Sequence, residues 1–153
     1  MPTLDHKIPP PLVGALVAAA MWGVCTLGPQ LSLPPTLKVV VVALLGVAGA
    51  AFDLSGLLAF RAARTTINPL KPERARALVT GGIYRVTRNP MYVGMLLFLL
   101  AWAVYLSAVT PFAGPLLFAL YITRFQIRPE ERVLKANFGA HYLDYAARVR
   151  RWL

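Results

Sequence analysis

Three stretches of this chain carry almost no charge over the length needed to cross a lipid bilayer. "PLVGALVAAAMWGVCTLG" (11–28) has none, "VVVVALLGVAGAAFDLSGLLAF" (39–60) has only Asp53, and "MYVGMLLFLLAWAVYLSAV" (91–109) has none. Apolar runs of about 18 residues or more read as spanning helices. A fourth run, "TPFAGPLLFALYITRF" (110–125), is shorter and has Pro111 and Pro115 near its start. It reads as the return arm of a hairpin that turns near 107–115, with Arg124 snorkelling to the interface. A soluble domain of 153 residues has too little interior for a composition that is 58% hydrophobic. The fold expected is therefore an all-α integral membrane protein. Its four transmembrane helices, at about 11–28, 39–60, 91–108 and 110–125, form two hairpins, followed by a cytoplasmic or interfacial C-terminal helical region.

The first run reads as an uncleaved span. A signal peptide would need a stronger basic start than Lys7 and a better cleavage site than "CTLGPQLSL". The single cysteine, Cys25, lies inside that run, which leaves neither a disulfide framework nor a metal cluster to expect. A net charge of +10 would point to nucleic acid in a soluble protein, but its distribution points elsewhere. Of sixteen Lys and Arg, seven fall in 61–88 and seven in 124–153, whereas the linker 29–38 has only Lys38 and the turn near 107–115 has none. Positive charge marks the cytoplasmic side, so 61–88, the tail 126–153 and both termini are expected inside, at a bacterial inner membrane. Anionic lipid is the partner this surplus suits, and no nucleic acid is expected.

No repeat or linker divides the chain, and residues 1–153 read as one domain. Pro34-Pro35 closes the outer turn of the first hairpin, and Gly46 and Ala50 offer a small surface for helix packing. In the tail, Leu134, Phe138, Tyr142, Tyr145, Val149 and Trp152 recur at steps of four and three, which lines one helical face. Pro129 suits a first helical position, with Glu130 and Glu131 in the first turn, and Gly139 breaks or bends the helix. Such a helix can rest on the inner leaflet with Trp152 as its anchor, yet that leaves two adjacent glutamates at the membrane edge unexplained.

The polar residues crowd into "GGIYRVTRNPMYVG" (81–94), at the border of the third run. Gly81-Gly82 marks a turn. Asn89-Pro90 is a helix start, with asparagine as cap and proline at the first position. The end so formed has free N–H groups and a positive dipole, and Arg85 and Arg88 add charge, so it attracts carboxylates. A capped helix with interfacial Arg and Tyr anchors is the plain structural alternative.

The ordered pieces "NPLKPERARALVTGGIYRVTRNPMYVG" and "PEERVLKANFGAHYLDYAARVRRWL", separated by a hairpin, resemble the isoprenylcysteine carboxyl methyltransferase family and its bacterial relatives. The wider group includes phospholipid N-methyltransferases, and the resemblance covers roughly residues 65–153. It implies an integral membrane enzyme that uses S-adenosylmethionine, with no metal. It also implies that Arg76, Ala77, Leu78, Val79 and Tyr84 line the cofactor, together with Asn89, Pro90, Met91, Tyr92 and Glu130. Where the eukaryotic enzymes place a substrate-associated arginine, this chain has Gln126, flanked by Arg124 and Arg128. Asn89 replaces the family's usual histidine, so no proton shuttle belongs there.

Methyl transfer is an in-line displacement on an activated carbon, and the protein mainly positions reactants and excludes water. Glu130 suits an ammonium or a ribose hydroxyl, and a lipophilic acceptor enters from the bilayer. A carboxylate acceptor needs only orientation, for which Arg124 and Arg128 are the candidates, whereas an amine must first lose a proton. Asp53 costs about 2.5–3.5 kcal/mol within a span, so it either locks helices together or accepts that proton. The function expected is carboxyl O-methylation of the isoprenylcysteine type. The alternatives are N-methylation of a phospholipid or small lipophilic amine, a non-enzymatic membrane scaffold, or a membrane reductase. The methyltransferase reading requires Tyr84, Tyr92 and Glu130 to gather around one solvent-reachable hollow at the inner rim.

Overall fold

The computed structural model describes residues 7–63 and 78–153, and all the regular elements in them are helical. Helix α1 spans Pro10–Val24, α2 Pro35–Ala62, α3 Pro90–Leu106, α4 Ala113–Ile122 and α5 Arg128–Arg148. Proline opens each of the first three helices, where a missing N–H removes no intrahelical bond. Among the described helices α2 alone, with 28 residues, is long and apolar enough to cross a membrane. Helices α1 and α3, of 15 and 17 residues, are shorter apolar rods.

The helices do not pair in the order the two expected hairpins imply. Helix α2 packs along α3, whereas α1 packs on α4 and α3 and scarcely meets α2. The surface of α2 that faces α3 is Gly49, Asp53 and Gly56, residues that share one helical stripe. A Cβ at Gly49 would lie 3.0 Å from the Gly94 carbonyl oxygen. A Cβ at Gly94 would lie 2.8 Å from the Gly49 carbonyl oxygen and collide with the Asp53 carboxylate. Backbone thus meets backbone at this crossing. Gly46 and Ala50, expected at the packed surface, are not there: Gly46 has open space around its Cβ position and Ala50 is exposed. Lipid is as apolar as a neighbouring helix, so small size alone does not say which stripe is packed.

The connection between α1 and α2 joins the segment that follows α3. Leu31 N–H donates to the Ser107 carbonyl at 2.8 Å, and Val109 N–H to that of Pro29 at 3.0 Å. Large apolar side chains stay exposed on the outer faces of α1, α2 and α4, among them Leu16 (58% exposed), Val47 (70%) and Leu116 (62%).

Helix α4 runs into α5 without a break through a π-helical turn, Thr123–Ile127, closed by Arg128 N–H on the Thr123 carbonyl. Pro129 accounts for the widening. Its ring would clash with the Phe125 carbonyl in an α-helix, and a five-residue register relieves that contact. The start of α5 is therefore continuous with α4, and Glu130 and Glu131 do not sit at an open helix end.

Gly139 bends α5 as expected, with φ 51° and ψ −124°. The periodic face of the tail is buried against protein. Tyr142 and Tyr145 join Tyr84 in an apolar cluster, with Leu134, Phe138 and Val149 packed on it. Trp152 does not act as the expected leaflet anchor: its ring packs on the helix core and its Nε1 donates to Thr123 Oγ1 at 3.2 Å.

Candidate active site

The turn before α3 sets the site's geometry. Gly82 takes a positive φ of 58° and starts the 3-10 turn Gly82–Arg85, which buries Tyr84. The Tyr84 ring meets Phe60 of α2 edge-on at 5.5 Å, and Tyr145 Oη donates to the Tyr84 carbonyl at 2.7 Å. Burial pushes the Tyr84 phenol well above its ordinary pKa, and the charges of Tyr145 and Glu130 push it further. It therefore stays protonated, a neutral hydrogen-bond donor.

Tyr92, in the first turn of α3, belongs to a second apolar cluster, formed by α1, α3 and α4 with Ile127 of the π turn. Its hydroxyl donates to Glu130 Oε1 at 2.6 Å. Glu130 thus sits on a polar seam between the two clusters, with Tyr92 on one and Tyr84 on the other. Its pKa is raised to about 7: burial is the main cause, the Tyr92 hydrogen bond opposes it, and the neighbouring Glu131 adds to it. A carboxylate that titrates near neutrality, held by one short phenol bond, is a group whose charge a cationic ligand would fix.

Asn89 is at the start of α3, yet its side chain does not cap the helix. Its carbonyl accepts from Tyr92 N–H and Val93 N–H, both at 3.1 Å, so those two donors of the helix end are occupied. The Asn89 amide instead donates to the Arg151 carbonyl at 2.8 Å. Arg88, whose charge was expected to add to this helix start, is likewise engaged, with Glu131 Oε1 at 3.1 Å and Tyr142 Oη at 3.2 Å.

Pro90 is buried and Met91 half-buried, and both face α2, where Gly56 leaves room for them. Leu78 and Val79 pack on the Tyr84 cluster and line a cleft of about 760 Å³ against the C-terminal end of α2, with Ser55, Leu58, Ala62 and Ile83. Tyr84, Tyr92 and Glu130 do not line that cleft, and both tyrosines are buried, so this cleft is not the single solvent-reachable hollow expected to gather all three. Tyr84 connects the two regions through Leu78 and Val79. Arg76 and Ala77 lie outside the described residues.

The residues expected to act on the acceptor are more scattered. Asp53 faces Gly94 in the α2–α3 seam, with Oδ1 buried and unpartnered. Arg124 is exposed, with its guanidinium 5.2 Å from the Phe125 ring. Arg128 is exposed too, and two residues before Glu130 it projects from another side of α5. Gln126 is fully buried and donates Nε2 to the Ile8 carbonyl at 2.7 Å, which ties the π turn to the N-terminal segment.

Comparison with known proteins fixes the family. The phospholipid methyltransferase family matches residues 37–141, from the first turn of α2 to beyond the bend in α5. The chain belongs to the phospholipid methyltransferase family. The match encloses the Tyr84 turn, the start of α3 and Glu130. An uncharacterized protein of Haemophilus influenzae is 44% identical over 63 residues, 41% of this chain and all of that protein. Protein-S-isoprenylcysteine O-methyltransferase B of Arabidopsis thaliana is 35% identical over 88 residues, 56% of this chain and 43% of the plant protein. Methanethiol S-methyltransferase 2 of Bradyrhizobium diazoefficiens is 38% identical over 105 residues, 64% of this chain and 35% of its own length. The chain thus spans less than half of these two named enzymes. No solved structure matches it.

Proposed function

We propose that this chain is an S-adenosylmethionine-dependent methyltransferase of the membrane that acts on a lipophilic acceptor, by carboxyl O-methylation of the isoprenylcysteine type. The observation that carries this reading is the 2.6 Å bond between Tyr92 and Glu130 on the seam beside Tyr84. The donor set fits the cofactor. A partly buried carboxylate suits its ammonium or ribose hydroxyls, and phenols held protonated supply neutral donors and flat apolar faces. When bound, the cofactor supplies a methyl group on a positively charged sulfur, already activated for displacement. The residues then need only hold and orient the reactants: Glu130 fixes one end, Tyr92 fixes Glu130, and Tyr84 with Leu78 and Val79 excludes water.

The membrane arrangement proposed has α1, α2, α3 and the α4–π unit as four spans. The basic segments and Glu130 lie on the cytoplasmic side. The exposed apolar faces of α1, α2 and α4 support it, since such continuous surface is rare on soluble monomers.

A second reading has a specific observation in its favour. Both candidate arginines for a carboxylate acceptor are exposed, and one relative is named for a thiol. A thiol or amine acceptor must lose a proton, and the buried, unpartnered carboxylate oxygen of Asp53 in the α2–α3 seam makes that residue the candidate base. Transfer of labelled methyl from the cofactor into host lipid extract tests both readings. A product whose label is released as methanol by mild base is an ester and supports the carboxyl acceptor. A base-stable product supports the thiol or amine. No incorporation by folded protein into any extract or thiol contradicts both.

A further inference from the structure

The last four residues fold back onto the start of α3. Arg88 N–H donates to the Arg150 carbonyl at 3.0 Å, and the Arg151 carbonyl accepts from Asn89 Nδ2 at 2.8 Å and Thr87 Oγ1 at 3.3 Å. Thr87 is fully buried, and its hydroxyl also accepts Asn89 N–H at 3.2 Å. The Arg151 guanidinium turns the other way and grips Glu131 through two parallel bonds, Nε to Oε1 at 2.9 Å and Nη2 to Oε2 at 2.7 Å. Arg88 closes the circuit on the same Oε1. One residue therefore holds the loop before α3 with its backbone and the start of α5 with its side chain. Those are the two segments that carry Tyr92 and Glu130.

We infer that Arg151 is a positioning residue of the active site, a clasp that sets the separation of Tyr92 and Glu130 and balances the charge of Glu131 beside them. The inference rests on the proposed cofactor role of Glu130. Parallel Arg–carboxylate bonds fix orientation as well as distance, which single contacts from a flexible tail do not. The clasp is electrostatic too. Tyr92 from α3 is hydrogen-bonded to Glu130, and the electrostatics of Glu130 are coupled to Glu131 on its own helix and to Tyr84 in the turn before α3. Glu131 is the anion among them, and Arg88 and Arg151 are its counter-charges. Loss of Arg151 leaves Glu131 less compensated, and Glu130 then holds its proton to higher pH.

Calorimetric titration of the full chain in detergent with S-adenosylhomocysteine, from pH 5.5 to 8.5, tests this. Arg151→Ala is expected to weaken binding about tenfold, in line with loss of a charged hydrogen bond, and to move the acidic midpoint of binding upward. Arg151→Lys keeps the charge and recovers most of the midpoint. Trp152→Phe loses the Thr123 bond only and leaves the midpoint in place. Glu131→Gln, which keeps an acceptor for Arg151, moves the midpoint downward and serves if Arg151→Ala fails to fold. An unchanged midpoint in both Arg151→Ala and Glu131→Gln, with the parent protein binding normally, overturns the clasp. Absence of binding by the folded parent instead overturns the cofactor reading on which the clasp rests.

Discussion

Tyr92 and Glu130 are 38 residues apart in sequence and 2.6 Å apart in space, and two predictions follow from that bond. Tyr92→Phe removes the donor that favours the ionised carboxylate. Glu130 should then titrate above its present value of about 7, and S-adenosylhomocysteine affinity at pH 7 should fall about tenfold. The pH dependence has a definite sign. Above about 7 Glu130 is charged and, in the proposed role, suited to a ligand ammonium; below it the proton must leave first. Affinity should thus fall by up to about tenfold per pH unit on the acid side. Glu130→Gln should bind weakly and lose this dependence, read by titrations at several pH values. Without ligand the linkage runs the other way: protonated Glu130 favours the fold, a contribution present below about 4.5 and lost as pH rises through about 7. Both partners were legible in the sequence, because the recurring motif pieces mark them. Arg88 was read as added charge at the helix start and Asn89 as its cap and a cofactor contact, and the bonds their side chains make are to Glu131, Tyr142 and a backbone carbonyl of the tail. A carbonyl acceptor leaves no trace in residue identity, so no spacing announces it.

At the scale of elements, the α2–α3 crossing is the most sensitive contact. Gly94→Ala drives a methyl into Asp53 and the Gly49 carbonyl, at a cost of about 1–3 kcal/mol. The melting temperature in detergent should drop clearly. Asp53→Ala in the same chain should recover part of the loss, since it removes the first obstacle. Gly46→Ala, with open space at its Cβ, should leave the melting temperature nearly unchanged. Gly139→Ala should destabilise α5 by about 1–3 kcal/mol, because φ 51° with ψ −124° is closed to a side chain. Helix positions were readable from Pro34-Pro35, from Asn89-Pro90 and from the apolar runs, whereas Pro10 at the start of α1 went unread. Helix partners were not, since two small-residue stripes compete on α2 and lipid satisfies either. The π turn was hidden as well: it answers to Pro129 only through the preceding carbonyl, and nothing in the composition of Thr123–Ile127 marks it.

Over the whole molecule, the charge asymmetry and the exposed apolar faces support one orientation across a membrane, with 29–32 and 107–109 outside. In a Cys25→Ser background, Ser32→Cys should react with an impermeant maleimide in intact cells, and Arg85→Cys only after lysis. Labelling of both before lysis contradicts that orientation. The four apolar runs, the two basic clusters and the family resemblance were visible in the sequence from the outset. The return of the tail onto the site was not, because its amphipathic period suits a leaflet as well as a protein surface. The most direct test of the methyltransferase account is calorimetry on the purified chain with S-adenosylhomocysteine and, separately, NADPH. The account predicts saturable binding of the first, weakened below pH 7, and none of the second. Folded protein that gives no heat with S-adenosylhomocysteine would contradict it.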